Sequence, residues 1–161
     1  MAKSISGELT DDLFRRLGGQ AIDEHHNKVV LISTLDPNGW PHPAVLSYFE
    51  IVATDRSNIR IATYESSNTT QNIRRHGKLT LSIFDERAVY YIKGQGTELC
   101  REMRCTPYNS KLNVRVHEVL IDQADPILEP GAYIACGIAY INPDPAAERE
   151  RGNEILKELI E

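Results

Sequence analysis

Alternation is the feature that most limits what this chain can become. Between Val29 and Ile141 it carries about seven runs of strand length, most of them alternating apolar and polar residues, separated by turn-forming residues. The run VVLISTL leads into Asp36-Pro37-Asn38-Gly39, a strong turn, and a return strand over residues 41–51 completes a hairpin. Residues 59–64 (IRIATY), 79–84 (LTLSIF) and 88–99 follow, with Gly94 and Gly96 marking bulges or close approaches in the last of these. Residues 112–121 fit a further strand with a one-residue shift near His117, and residues 131–141 (GAYIACGIAYI) read as the closing strand. Without βαβ alternation, such a series predicts a mostly antiparallel barrel or sandwich.

The helices predicted are peripheral. Thr10 caps a helix that runs to Leu17 and stops at Gly18-Gly19. A short one covers residues 71–75 and ends at His76-Gly77. Asp144-Pro145 opens a closing helix over about residues 145–160, with Ile155, Leu156, Leu159 and Ile160 on one face.

At 161 residues the chain is the size of one domain and can bury a core without disulfide or metal staples. Its cysteines, Cys100, Cys105 and Cys136, are odd in number and form no C-x-x-C pair, which suits reduced thiols in the cytoplasm. No apolar run approaches the ~20 residues that cross a bilayer, and the opening MAKSISGELTDD lacks a signal-peptide core, so no membrane partner is expected. A formal charge of −5 argues against a nucleic-acid partner. The histidines show no metal-ligand spacing, there is no G-x-S-x-G elbow, and Gly94-Gln95-Gly96 lacks the context of a dinucleotide fold. No metal ligand and no catalytic side chain is assigned.

Two segments can carry chemistry. Residues 63–75 (TYESSNTTQNIRR) follow a strand and open a helix, and they concentrate Ser66, Ser67, Thr69 and Thr70 beside the free amides of a helix N-terminus. That arrangement accepts a phosphate, and equally suits an ordinary solvated, capped turn. Residues 41–47 (PHPAVLS) offer a strand edge of small and apolar side chains that can receive a flat ring, or be a plain core strand.

In order and spacing, ISTLDPNGWPH, TYESSNTTQNIRRHG and LTLSIFD resemble the opening hairpin, the phosphate-loop helix and the following strand of the FMN-binding split-barrel family. That family includes pyridoxamine 5′-phosphate oxidase and the general-stress flavoproteins. The resemblance covers roughly residues 28–99 and implies a split β-barrel, antiparallel and Greek-key-like, with short peripheral helices. It further implies a cytoplasmic homodimer with FMN in clefts at the interface, acting on a small-molecule substrate or electron donor. On this resemblance Ala44, Val45, Leu46 and Ser47 face the flavin ring and ribityl chain, Thr63 bonds its tail, and Ser66, Ser67, Asn68, Thr69 and Thr70 hold the phosphate. Where the oxidase has an Arg-Lys pair this chain has Ser67-Asn68, leaving Arg74 or Arg75 as the nearest cations. The oxidase's C-terminal tryptophan and Arg-x-His segment has no counterpart, so vitamin B6 oxidation is not expected. Related split barrels that use F420 or haem supply the alternatives, the latter through a histidine such as His42 or His76. The apolar face expected to meet a second copy lies over residues 78–94, with Ile83, Tyr90 and Tyr91; the competing reading is that the N-terminal helix and the closing helix cover it within one chain.

Overall fold

A computed structural model describes residues 1–161. Eight strands form one antiparallel sheet curled into a split barrel: β1 (Lys3–Ser6), β2 (Val29–Leu35), β3 (Pro41–Ser47), β4 (Ile51–Ala53), β5 (Asn58–Tyr64), β6 (Lys78–Asp85), β7 (Ala88–Cys100) and β8 (Asn109–Asp122). Their order across the sheet is β3-β2-β6-β7-β8-β5-β4, and β1 joins β8. The two longest strands lie at the centre and make the curl possible. β8 pairs with β7 along most of its length, while its other edge is shared by β5 near the start and β1 near the end. The one-residue shift is where the sequence puts it: Lys93 pairs with Glu118 and Gly94 with Val116, leaving His117 bulged between them.

Four helices decorate the sheet: α1 (Asp11–Leu17), α2 (Ile22–His25), α3 (Asn68–His76) and α4 (Pro145–Ile160). Thr10 caps α1 by accepting a hydrogen bond from the Leu13 N–H, and Leu13 and Leu17 drop into the main core with Val30, Ile32, Leu81, Ile83, Ile92 and Leu112. A second cluster lies on the other side of the sheet, where Ile155, Leu156 and Leu159 of α4 pack on Phe49, Val52, Ala62 and Met103. Gly77 ends α3 at φ 73°, and a Cβ there would come 2.7 Å from the Gly96 carbonyl. Neither β1 nor α2 is signalled in the sequence. β1 is a short exposed strand, and α2 is a single turn without a side-chain cap.

Three expectations need correction. The return strand of the hairpin stops at Ser47, because Ser47 and Glu50 form a capping box: the Phe49 N–H donates to Ser47 Oγ at 3.1 Å and the Ser47 N–H to Glu50 Oε2 at 2.8 Å. The resulting 3₁₀ turn, Tyr48–Glu50, carries the chain to the opposite edge of the sheet, where β4 pairs with β5. The closing strand over residues 131–141 is not a strand either. β2 is already flanked by β3 and β6, so the segment reaches only its entry, through one bridge between Lys28 and Ala139. Finally, the face over β6 and β7 is covered within the chain. Ile83 is fully buried and Tyr90 packs against the main core, while residues 127–141 hold the densest run of exposed apolar side chains, with Ile127, Leu128, Tyr133, Ile138, Tyr140 and Ile141.

Candidate functional site

The hydroxyl-rich turn folds as a capped helix start. Ser67 is the N-cap of α3, and its Oγ accepts from the Thr70 N–H at 3.2 Å. Thr70 donates its hydroxyl to the Tyr64 carbonyl at 2.7 Å, while Thr63 Oγ1 lies 2.6 Å and Ser67 Oγ 3.1 Å from Thr70 Oγ1. Thr63, Ser67 and Thr70 are therefore tied to one another and to the backbone. The groups of this turn left without an acceptor in the chain are the Ser66, Asn68 and Thr69 N–H, alongside the Thr69 hydroxyl and the exposed Ser66 hydroxyl and Asn68 side chain. The turn thus offers neutral donors only, set by backbone geometry.

Two of the nearby cations, Arg74 and Arg101, are committed to carboxylates. Arg74 lies 3.2 Å from Glu65 Oε1, forms a second pair with Glu98 and reaches Ser110 Oγ at 3.3 Å. Glu65 also takes Arg101 Nε at 2.8 Å. Hydrogen bonds from Arg101, with Arg74 adding to them against the opposing effect of burial, hold the Glu65 carboxyl below its ordinary range. The two guanidiniums differ in freedom. The Arg74 side chain is 22% exposed and held on several sides, whereas that of Arg101 is 71% exposed. Arg75 donates to Asn72 Oδ1 within α3, at 3.1 Å.

Beside the turn opens a cavity of about 460 Å³. Along β3 the even positions face inward: Leu46 is buried and Ala44 packs on the main core, while Val45 and Ser47 face the cavity. Tyr64 links the two features, since its side chain lines the cavity and its carbonyl holds Thr70 and the Ser67 N–H. Tyr108 stands opposite, with ring centroids 6.0 Å apart. The far wall is α4, and Gly152 sets its approach: a Cβ there would collide with the Phe49 ring.

The sequence reading missed Glu50, Asn109, Asn142, Glu148 and Arg151 among the polar residues lining this cavity, and the first two are the most closely tied to its wall. Glu50 has one oxygen taken by the Ser47 N–H; burial raises its carboxyl above the ordinary range, against hydrogen bonds from Ser47 and the charge of Arg151. Its signal was available as S-x-x-E from Ser47. Asn109, which opens β8 opposite Tyr64, is 1% exposed, and its Oδ1 has no hydrogen-bond partner. A buried amide left so costs about 1–3 kcal/mol, a penalty natural folds rarely carry without a ligand or an ordered water. Nothing in the residues around Asn109 announced it.

The histidines are placed apart from this cavity. His76 has its Nε2 3.1 Å from the Leu35 carbonyl and accepts the Lys78 N–H on Nδ1, and His42 is half-buried on β3. No group of three or more His, Cys, Asp or Glu residues is arranged to hold a metal ion. No helix is long and apolar enough to cross a membrane.

The family described as pyridoxamine 5′-phosphate oxidase matches residues 20–132. Over 85 residues the chain is 36% identical to the uncharacterized protein YclD of Bacillus subtilis strain 168, a match covering 53% of this chain and 55% of YclD. The chain thus spans about half the length of this curated relative. Among solved structures it superposes on HupZ of Group A Streptococcus with a TM-score of 0.55 at 14% identity, over 72% of this chain and 95% of HupZ. A putative pyridoxamine 5′-phosphate oxidase from Lactobacillus delbrueckii gives 0.53 at 15% identity, over 73% and 98%. These two likenesses establish the shared fold.

Proposed function

The chain belongs to the pyridoxamine 5′-phosphate oxidase family, and from that premise we propose that it binds FMN and serves as a flavin-dependent oxidoreductase on a small substrate. The observation that carries this reading is the junction at Tyr64, where a cavity large enough for a planar ring adjoins a turn with free backbone amides. The residues present fit the group in two ways. Asn109 supplies an orphaned buried acceptor in the cavity wall, and the start of α3 supplies uncommitted donors for a phosphate. When bound, the flavin supplies the redox chemistry itself. The chain's part is to hold the phosphate at Ser66, Thr69 and the Asn68 and Thr69 amides, to seat the ring against Val45 and Ser47, and to limit water through α4.

A phosphate held by neutral donors is held less tightly than one held by guanidinium or ammonium groups, since charge-assisted hydrogen bonds are roughly twice as strong. FMN is accordingly expected to exchange with added FMN. The decisive experiment is a paired titration. Replacing Ser66 and Thr69 together with alanine should weaken FMN binding by about 1–3 kcal/mol and leave riboflavin, which lacks the phosphate, nearly unaffected. Equal losses for both ligands would remove the phosphate from this turn. An absorption spectrum of the reconstituted protein separates the two-banded flavin from a deazaflavin or from the single dominant band of haem.

We further place the cofactor site near a homodimer interface. The support is the apolar surface of residues 127–141, where Ile127, Leu128, Tyr133 and Ile141 are exposed and Tyr140 also lines the cavity.

A further inference from the structure

We propose that Asn109 is the residue that reads the ring edge of the ligand, and that the edge it selects is an amide or imide edge, an N–H flanked by a carbonyl. This rests on the flavin reading above and specifies which part of the ring meets which side chain.

The argument starts from what Asn109 lacks. Its backbone is fully engaged, with the N–H donating to the Thr106 carbonyl and the carbonyl accepting from Met103, both at 2.8 Å. The residue is therefore fixed at the start of β8, and its register partner is Tyr64. Its side chain lines the cavity, yet Oδ1 is buried with no partner. A carboxamide offers an acceptor and a donor side by side in one plane, so the ligand edge that satisfies both is one presenting the same pair reversed. An amide or imide edge does this, and a hydrocarbon or ether edge does not.

Glu50 adds to the selection. Its carboxyl lines the same cavity with Oε2 occupied by the Ser47 N–H, which leaves the other oxygen as an acceptor that a ring edge made only of carbonyls cannot satisfy. Tyr64 and Tyr108 provide aromatic surface at the cavity wall, and Val45 an apolar one, so a planar heteroaromatic ring with a polar edge matches both chemistries of the site. Because Tyr64 also anchors Thr70 and Ser67, the reading side chain and the phosphate turn are held in one frame across adjacent strands.

The test uses the full chain with lumiflavin, which carries the ring and no phosphate, and 3-methyllumiflavin, in which a methyl group replaces the proton of the imide edge. Wild-type protein should bind lumiflavin about tenfold more tightly than the methylated ring, the usual scale for one buried hydrogen bond. Asn109→Leu, close in volume and without the amide, should bind both rings within about twofold of each other. Equal binding of the two rings by wild-type protein overturns the proposal without needing any variant. A tenfold preference that survives in Asn109→Leu also overturns it, since the methyl would then be excluded by bulk alone. If wild-type protein binds neither ring but binds FMN, the edge contact is wrong and the phosphate reading stands. Failure to bind all three removes the flavin reading as well.

Discussion

β8 and the segment that follows it are built from similar residues and end in opposite conditions. Leu112, Val114, Val116 and Val119 of β8 are buried between neighbours on both edges. Ile127, Tyr133, Ile138, Tyr140 and Ile141 are exposed, and the whole of residues 123–144 touches the barrel through few backbone hydrogen bonds. These run from the Val29 N–H to the Ile138 carbonyl at 3.2 Å, from Tyr140 to Asn27 at 2.7 Å and from Arg87 to Ile134 at 2.8 Å. The difference is one of vacancy. The inner strands β2, β6, β7, β8 and β5 each have partners on both sides, and residues 131–141 do not extend the outer edges of β3 or β4, so an apolar alternating run is left facing outward. Alternation states that a segment will be covered and is silent on what covers it.

The comparison breaks most simply by truncation. Leu112→Ala in β8 should cost about 2–5 kcal/mol in denaturant unfolding, because it empties a fully buried site among side chains that cannot all relax. Ile138→Ala, a similar loss of apolar volume in the outer segment, should stay within about 0.5 kcal/mol for the isolated chain. Comparable losses at both sites would mean that residues 131–141 are part of the barrel core.

A second test concerns how the chain returns to the barrel after this segment. α4 docks through Gly152 against the Phe49 ring, so Gly152→Ala should destabilise by about 1–3 kcal/mol, with the helix displaced from the cavity wall. Ring binding should weaken in parallel. Unchanged stability and unchanged affinity would show that α4 and Phe49 yield freely.

Much of this was legible in advance. Caps and turns declared themselves: Thr10, Gly77 and Asp144 each bound a helix where their chemistry requires. The strands of the central sheet were readable because one face is buried, which fixes the period. The break after Ser47 was harder, since Tyr48, Phe49, Ile51 and Val52 continue an apolar run and only the Ser47–Glu50 pair betrays the turn. At the site, the hydroxyls were visible as a cluster, but not their allocation. That Thr63, Ser67 and Thr70 bond one another depends on β5 and α3 meeting at one angle. The commitment of Arg74 to Glu65 and Glu98 joins residues far apart in the chain, and so does the pairing of Asn109 with Tyr64. Local pattern carries none of these.

Oligomeric state tests the outer segment directly. Ile138→Glu with Ile141→Glu adds two charges to the exposed apolar surface and removes nothing from the core or from the cavity lining. Light scattering should show the pair shifting a dimer towards monomer, with FMN affinity falling alongside. A dimer of unchanged strength would place the interface elsewhere, and a monomeric wild type that binds FMN would remove the interface from the cofactor site.

A last effect is that of acid on the far end of α4, and it separates the two ways this region is held. Glu158 is buried and accepts the backbone N–H groups of Arg104 and Cys105, each at 2.8 Å, while Arg60 and Lys111 donate to the last carbonyls of the helix. Burial alone would raise the Glu158 carboxyl, but the Cys105 N–H and thiol, the Arg104 N–H and the Arg104 charge outweigh it and hold the group at about 2, below its ordinary 4.5. A carboxyl depressed on folding binds fewer protons in the folded chain than in the unfolded one over that interval, so the stability it contributes is complete above pH 4.5 and is lost as pH falls towards 2. Glu158→Gln keeps the shape and removes the titration. Thermal unfolding of wild-type protein should therefore fall more steeply between pH 5 and pH 3 than that of the variant, while the variant starts lower at neutral pH because it exchanges a charged acceptor for a neutral one. If the two curves run parallel through this range, α4 is held by its apolar face and Gly152 alone, and the carboxylate anchor contributes nothing to keeping the cavity wall in place.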